Sequence, residues 1–145
     1  DNTSSVTFTF SEATTNFVEG DVTTSNGSLS AFSGSGTSYT ATFTANDGIT
    51  GIGSVTVTAG SYTDAAGNSG ASNSDTVSID TRNPTVTINQ ANGQSDPANV
   101  SPIHFTVVFS ESVTGFGSND VTLGGTASAT TVNVSGSGTT YDVEV

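Results

Sequence analysis

Ser74-Asp-Thr-Val-Ser-Ile-Asp-Thr-Arg-Asn-Pro-Thr-Val86 reads as strand, joint, strand. Val77 and Ile79 alternate with Thr76, Ser78 and Asp80; Asn83-Pro84 interrupts; Thr85-Val-Thr-Ile88 takes the alternation up again. Pro84 has no N–H and drives Asn83 to extended geometry, so the chain passes through an extended joint instead of reversing in a tight hairpin. The stretch therefore predicts a boundary between two β-domains, residues 1–80 and 81–145.

The sequence on either side of this joint repeats. Val6-Thr-Phe-Thr-Phe-Ser-Glu12 corresponds to Phe105-Thr-Val-Val-Phe-Ser-Glu111, and Phe17…Asp21-Val22 to Phe116…Asp120-Val121, each 99 positions on (111 − 12). Ser33-Gly-Ser-Gly-Thr-Ser-Tyr39 returns as Ser135-Gly-Ser-Gly-Thr-Thr-Tyr141, 102 positions on (141 − 39). The period is thus about a hundred residues with one small insertion.

Strands are expected at Val6–Phe10, Asp21–Ser25, Leu29–Phe32, Tyr39–Thr44, Ser54–Ala59 and Thr76–Asp80 in the first copy. The second offers Thr85–Asn89, Ile103–Phe109, Val121–Leu123, Thr130–Val134 and Tyr141–Val145. No stretch has helical periodicity with caps, so helix content is expected near zero. Short strands with turn residues between them predict an all-β, antiparallel β-sandwich. Val6, Phe8 and Phe10, with Phe105, Val107 and Phe109, point to one face by period two and are the expected core.

Each copy is expected to be incomplete. The first lacks a counterpart of Thr85–Asn89, and the second lacks everything equivalent to Asn46–Asp80. A sandwich without its first strand exposes an edge. Either the sequence is a fragment of a long array, the preferred reading, or neighbouring chains complete each other by strand donation in a self-assembling filament.

Arg82 is the only Lys or Arg, against 13 Asp and Glu, for a net charge of −12. Nucleic acid and anionic membrane surfaces are excluded, because phosphate binding needs clustered cations. So many carboxylates repel one another in a compact fold unless cations relieve them. Hydrophobic residues make up 32%, but they are β-branched or aromatic and alternate, which argues for a thin β core and against disorder. There is no Cys, hence no disulfide or thiolate site. The Lys-free, Thr/Ser/Gly-rich make-up suits an extracellular protein. With no long apolar run and no signal-peptide pattern, the chain is expected to be an internal piece of something longer and not to insert in a membrane.

Phe10-Ser-Glu12, Asp21-Val22, Ser33-Gly-Ser-Gly-Thr-Ser-Tyr39, Val55-Thr-Val-Thr-Ala-Gly60, Tyr62-Thr-Asp-Ala-Ala-Gly-Asn68, Ile79-Asp-Thr81 and Pro84-Thr-Val86 together resemble the tandem bacterial Ig-like repeats of large surface and secreted proteins, such as biofilm adhesins of the repeats-in-toxin type. The resemblance implies tandem Ig-like sandwiches at the bacterial cell surface, a non-enzymatic stalk or spacer role, and Ca2+ at domain junctions. The implied partners are neighbouring repeats or identical chains, with any surface or matrix target engaged by other parts of the parent protein. Arg82-Asn83-Pro84 departs from the pattern, since such repeats often carry a small residue before the proline.

Strand direction in such a sandwich brings Glu12 towards the hairpin Tyr62–Asn68, and Glu111 towards the incoming segment Asp80–Asn83. Ca2+ takes 6–8 oxygens from carboxylates, carbonyls and Asn. Glu12, Asp64 and Asn68 are therefore the expected ligands in the first copy, and Asp80, Asn83 and Glu111 in the second. Asp21 and Asp120 are secondary candidates. The competing reading of Asp64-Ala-Ala-Gly-Asn68 is plain turn chemistry, since Asp and Asn bond their own backbone.

Other chemistry is less well supported. His104 is the only imidazole and has no nucleophile motif beside it, so a solvent-facing strand histidine is preferred. Glu12 and Glu19 make a carboxylate pair without aromatic residues to hold a sugar. Thr7 with Thr9, and Thr56 with Thr58, form faces that a glycan- or ice-binding module would use, although exposed Thr is ordinary on strands.

Overall fold

The structure, a computed structural model, describes residues 2–126 and 128–145. The chain divides into two compact units, Asp1–Asn83 and Pro84–Val145. Unit 1 contains β1 (Thr3–Thr14), β2 (Val22–Ser25), β3 (Gly27–Ala45), β4 (Thr50–Val57) and β5 (Asn73–Asp80). Unit 2 contains β6 (Val86–Gln90), β7 (His104–Val113) and β8 (Asn133–Glu144). The helical content among the described residues is two single 3-10 turns, Glu19–Asp21 and Ser118–Asp120.

Unit 1 is a sandwich of two antiparallel sheets, β1-β3 and β2-β4-β5. The alternating side chains explain the layering. Phe8, Tyr39 and Ala41 from the first sheet meet Phe17 and Val57, and Phe43 meets Ile79, all buried between the layers. Phe43 is 2% exposed and rests on glycines of both sheets. A Cβ on Gly27 would lie 2.3 Å from its ring, and one on Gly53 2.9 Å.

Unit 2 holds one antiparallel sheet, ordered β6-β7-β8, with Val107, Tyr141 and Val143 as its buried residues. β7 and β8 pair as β1 and β3 do. Phe8 faces Tyr39 and Val107 faces Tyr141; Val6 faces Ala41 and Phe105 faces Val143. The displacements are the same 99 and 102 residues as in the sequence repeat (107 − 8 and 141 − 39).

Most expected strands form, but Thr130–Val134 is extended only from Asn133 onward, as part of β8. Leu29–Phe32 and Tyr39–Thr44 both lie within β3, and the chain doubles back between them as expected: Ser33 Oγ is 3.2 Å from Thr40 Oγ1, a Cβ on Gly34 would lie 2.4 Å from the Ser38 carbonyl oxygen, and the Asn46 amide donates to the Asn26 carbonyl at 3.0 Å. Val121–Leu123 is irregular, although its counterpart Val22–Ser25 is a strand. Val22–Ser25 pairs with Val57–Ser54, and the described part of unit 2 has no equivalent of that partner. A segment without an edge to bond to gains nothing from extending.

Candidate functional site

The Phe-Ser-Glu motif owes its placement to a bulge built twice. On β1 the pairing passes from Thr9↔Ser38 to Thr14↔Gly36, and on β7 from Val108↔Thr140 to Val113↔Gly138. Five residues pass on one strand for two on the other (14 − 9 against 38 − 36), so three extra residues are accommodated each time. Bulges bend a strand and re-aim its side chains. Glu12 and Glu111 both lie in these bulges, each of which ends at a pair with a glycine at positive φ, Gly36 (φ 64) in one unit and Gly138 (φ 69) in the other.

An aromatic trio backs each bulge. Phe10, Phe17 and Tyr39 have ring centroids 4.8, 5.8 and 5.1 Å apart, and Phe109, Phe116 and Tyr141 have 5.2, 5.8 and 5.1 Å, all edge-on. Edge-to-face packing of this kind adds about 0.5–1.5 kcal/mol per pair beyond burial. The tyrosine hydroxyls end the motif: Tyr39 Oη bonds Thr14 Oγ1 at 2.9 Å, and Tyr141 Oη donates to the Val113 carbonyl at 3.1 Å. All three members, Phe10/Phe109, Phe17/Phe116 and Tyr39/Tyr141, recur in the sequence repeat, which did not show that they pack together.

In unit 1 a hairpin closes over the same end. Tyr62 stacks edge-on against Phe10 and Phe17 at 4.9 and 5.7 Å, with its ring on Gly70 and its hydroxyl donating to the Ala71 carbonyl. The bridge Thr14↔Asp64 ties the hairpin to β1, and Thr63↔Ser69 closes the hairpin on itself. Glu12, Asp64 and Asn68 consequently line one groove of about 780 Å3.

Within that hairpin, Asp64 Oδ1 accepts from the amides of Ala66 and Asn68, both at 2.8 Å, and Oδ2 from Asn68 Nδ2 at 2.7 Å. The Asn68 side chain, above all, holds the Asp64 carboxyl below the usual carboxylate range, with the backbone donors adding to it. The oxygen-rich set Glu12, Asp64 and Asn68 fits the ligand chemistry of Ca2+. Three of the roughly four acceptor positions of the Asp64 carboxylate are already taken, so a cation would require the Asn68 amide to turn its oxygen inward.

The remaining expected ligands are divided between the two units. Asp80, at the end of β5, accepts from Thr50 Oγ1 at 3.0 Å, and Asn83 is an exposed loop residue closing unit 1. Glu111 belongs to unit 2, where its neighbour Ser110 donates its amide to the Thr85 carbonyl and accepts from the Thr85 amide at Oγ, both 2.9 Å. Among the described residues no three His, Asp or Glu side chains gather into a metal cluster. Asp21 and Asp120 instead accept from the Val18 and Gly117 amides at 2.9 Å, each closing its 3-10 turn. His104 Nδ1 lies 2.9 Å from Asp142 Oδ2 as a half-exposed pair on adjacent strands. No helix among the described residues is long and apolar enough to cross a membrane.

The two-sheet sandwich of unit 1 and the repeated sheet of unit 2 define an all-β Ig-like module, a non-catalytic type of fold. Residues 1–79 match the family model described as bacterial Ig-like domain, and the chain belongs to that family. Neither curated proteins nor solved structures give a match to it.

Proposed function

We propose that this chain is a structural module, a stalk or spacer repeat of an extracellular bacterial adhesin or surface fibre, whose nearest partners are further repeats. The observation that carries the reading is that one sheet, with one bulge and one aromatic trio, is built twice in 145 residues, in the same register. A catalyst needs one well-formed site; repetition of a scaffold serves length. The single basic residue against 13 acidic ones also suits a surface exposed to divalent cations in the medium.

Calcium is the proposed stiffening agent, held in the first copy by Glu12, Asp64 and Asn68. Its contribution would be to bridge the β1 bulge to the Tyr62–Asn68 hairpin and relieve their charge. Titrating Ca2+ into the full chain should shift the Glu12, Asp64 and Asn68 resonances together, saturating at roughly 10⁻⁴–10⁻³ M as in extracellular modules. Small-angle scattering should then report a stiffer particle than in chelator. Resonances that stay put and scattering curves that superimpose would remove calcium from the account.

A further inference from the structure

Asparagine followed directly by glycine occurs twice, at Asn26-Gly27 and Asn92-Gly93. In such a pair the glycine carries no side chain to shield its nitrogen from the carboxamide one residue back, so the two groups can close into a ring. What decides the outcome is how firmly each group is held. At Asn26-Gly27 both are. Asn26 Nδ2 donates to the Ile52 carbonyl at 2.9 Å, and the Asn26 carbonyl accepts from the Asn46 amide at 3.0 Å. The Gly27 carbonyl accepts from Thr24 Oγ1 at 2.8 Å, and a Cβ on Gly27 would lie 2.3 Å from the Phe43 ring. Ring closure there would mean pulling the side chain off β4 and shifting backbone that rests on the core.

At Asn92-Gly93 neither is. The two residues form the exposed tip of the turn that follows β6. Among the described residues, neither the Asn92 carboxamide nor the Gly93 amide has a hydrogen-bond partner. A single bond spans the pair, from the Gln94 amide to the Ala91 carbonyl at 3.1 Å, and the space beside the Gly93 Cα is open. The flanks, by contrast, are tied. Ala91 donates to the His104 carbonyl at 2.9 Å, the His104 amide donates to Gln94 Oε1 at 3.3 Å, and Gln90 Nε2 donates to the Ser95 carbonyl at 2.9 Å. The tip can therefore rearrange while the β6–β7 ladder stays in place.

We propose that Asn92-Gly93 is a site of self-modification, where the chain exchanges an amide for a carboxylate without an enzyme, and that Asn26-Gly27 is kept inert by its contacts. The Gly93 nitrogen bonds to Asn92 Cγ, the Cγ–Nδ2 bond breaks, and the Gly93 proton leaves with Nδ2 as ammonia. Solvent water then opens the cyclic imide. Attack at Cγ yields aspartate; attack at the main-chain carbonyl yields isoaspartate, with the chain running through Cβ and Cγ. One water is consumed, one ammonia is released and nothing is oxidised. The net charge goes from −12 to −13 (−12 − 1). The proposal stands apart from calcium and from the spacer reading.

The test is to hold the full chain in mildly alkaline buffer and map its peptides by mass, with isoaspartate labelled by an isoaspartate-specific methyltransferase. Asn92 should convert at least about tenfold faster than Asn26, which must first open locally, and both product isomers should appear. Asn92→Gln, whose longer side chain disfavours the ring, should remove the label. In concentrated urea, where the bonds to Ile52 and Asn46 are lost, the two pairs should convert at similar rates. Equal rates in the folded chain, faster conversion at Asn26, or an Asn92 that stays intact while the unfolded chain is modified would overturn the proposal. So would a preference for Asn92 that persists undiminished in urea, because it would then come from local sequence and not from how the fold holds the two amides.

Discussion

Phe43→Ala is expected to cost unit 1 about 3–5 kcal/mol, the usual loss for emptying a buried aromatic site. Phe43 is 2% exposed, and its ring fills the space left by Gly27 and Gly53 on facing strands, where neither backbone can move in to replace it. A domain of this size has about 5–15 kcal/mol in total, so the variant should lie near the limit of folding. Urea unfolding of the full chain followed by circular dichroism checks this. A midpoint and slope equal to those of the unmodified chain would show that the two sheets are not packed through this ring.

Gly34→Ala and Gly136→Ala should each be strongly destabilising, and to similar extents. At φ of 130 and 121 these residues lie outside the left-handed helical region and in territory open essentially to glycine. A Cβ at Gly34 would lie 2.4 Å from the Ser38 carbonyl oxygen, and one at Gly136 2.5 Å from that of Thr140. Backbone strain alone amounts to about 1–3 kcal/mol, and the contact with backbone oxygen adds to it. Gly36→Ala and Gly138→Ala are the controls, because their φ of 64 and 69 is ordinary left-handed geometry with open space around the Cβ. Their expected cost is about 1–2 kcal/mol. Thermal unfolding of the four variants ranks them, and equal effects at Gly34 and Gly36 would refute the assigned bulge geometry.

The alternation of Val6, Phe8 and Phe10 and of Phe105, Val107 and Phe109 already told which face is core, and Phe8 and Val107 are buried as period two requires. The repeat was legible too, down to the separations that reappear in the strand register. So was the reversal at Ser-Gly-Ser-Gly, which has the composition of a turn and sets Ser33 beside Thr40 and Gly34 beside Tyr39. Val121–Leu123 was not legible: its residues favour a strand, but pairing is a property of the neighbour, which no local pattern contains.

The site residues divide in the same way. Asp64 and Asn68 could be read as a turn or as ligands, because both roles use the same oxygens; their mutual hydrogen bonds establish the turn directly. Asp21 and Asp120 recur because each closes a 3-10 turn, a local demand that imitates a functional repeat. The Phe-Ser-Glu motif gave no hint of its bulge, since three extra residues on one strand are invisible without the other.

The spacer reading rests on one sheet design being built twice, and cross-strand proton contacts measured by NMR on the full chain test that most directly. Facing contacts should appear for Phe8 with Tyr39 and Val107 with Tyr141, and beyond the bulges for Thr14 with Gly36 and Val113 with Gly138. A facing pair displaced by a single residue in either unit, or a bulge present in only one of them, would contradict it.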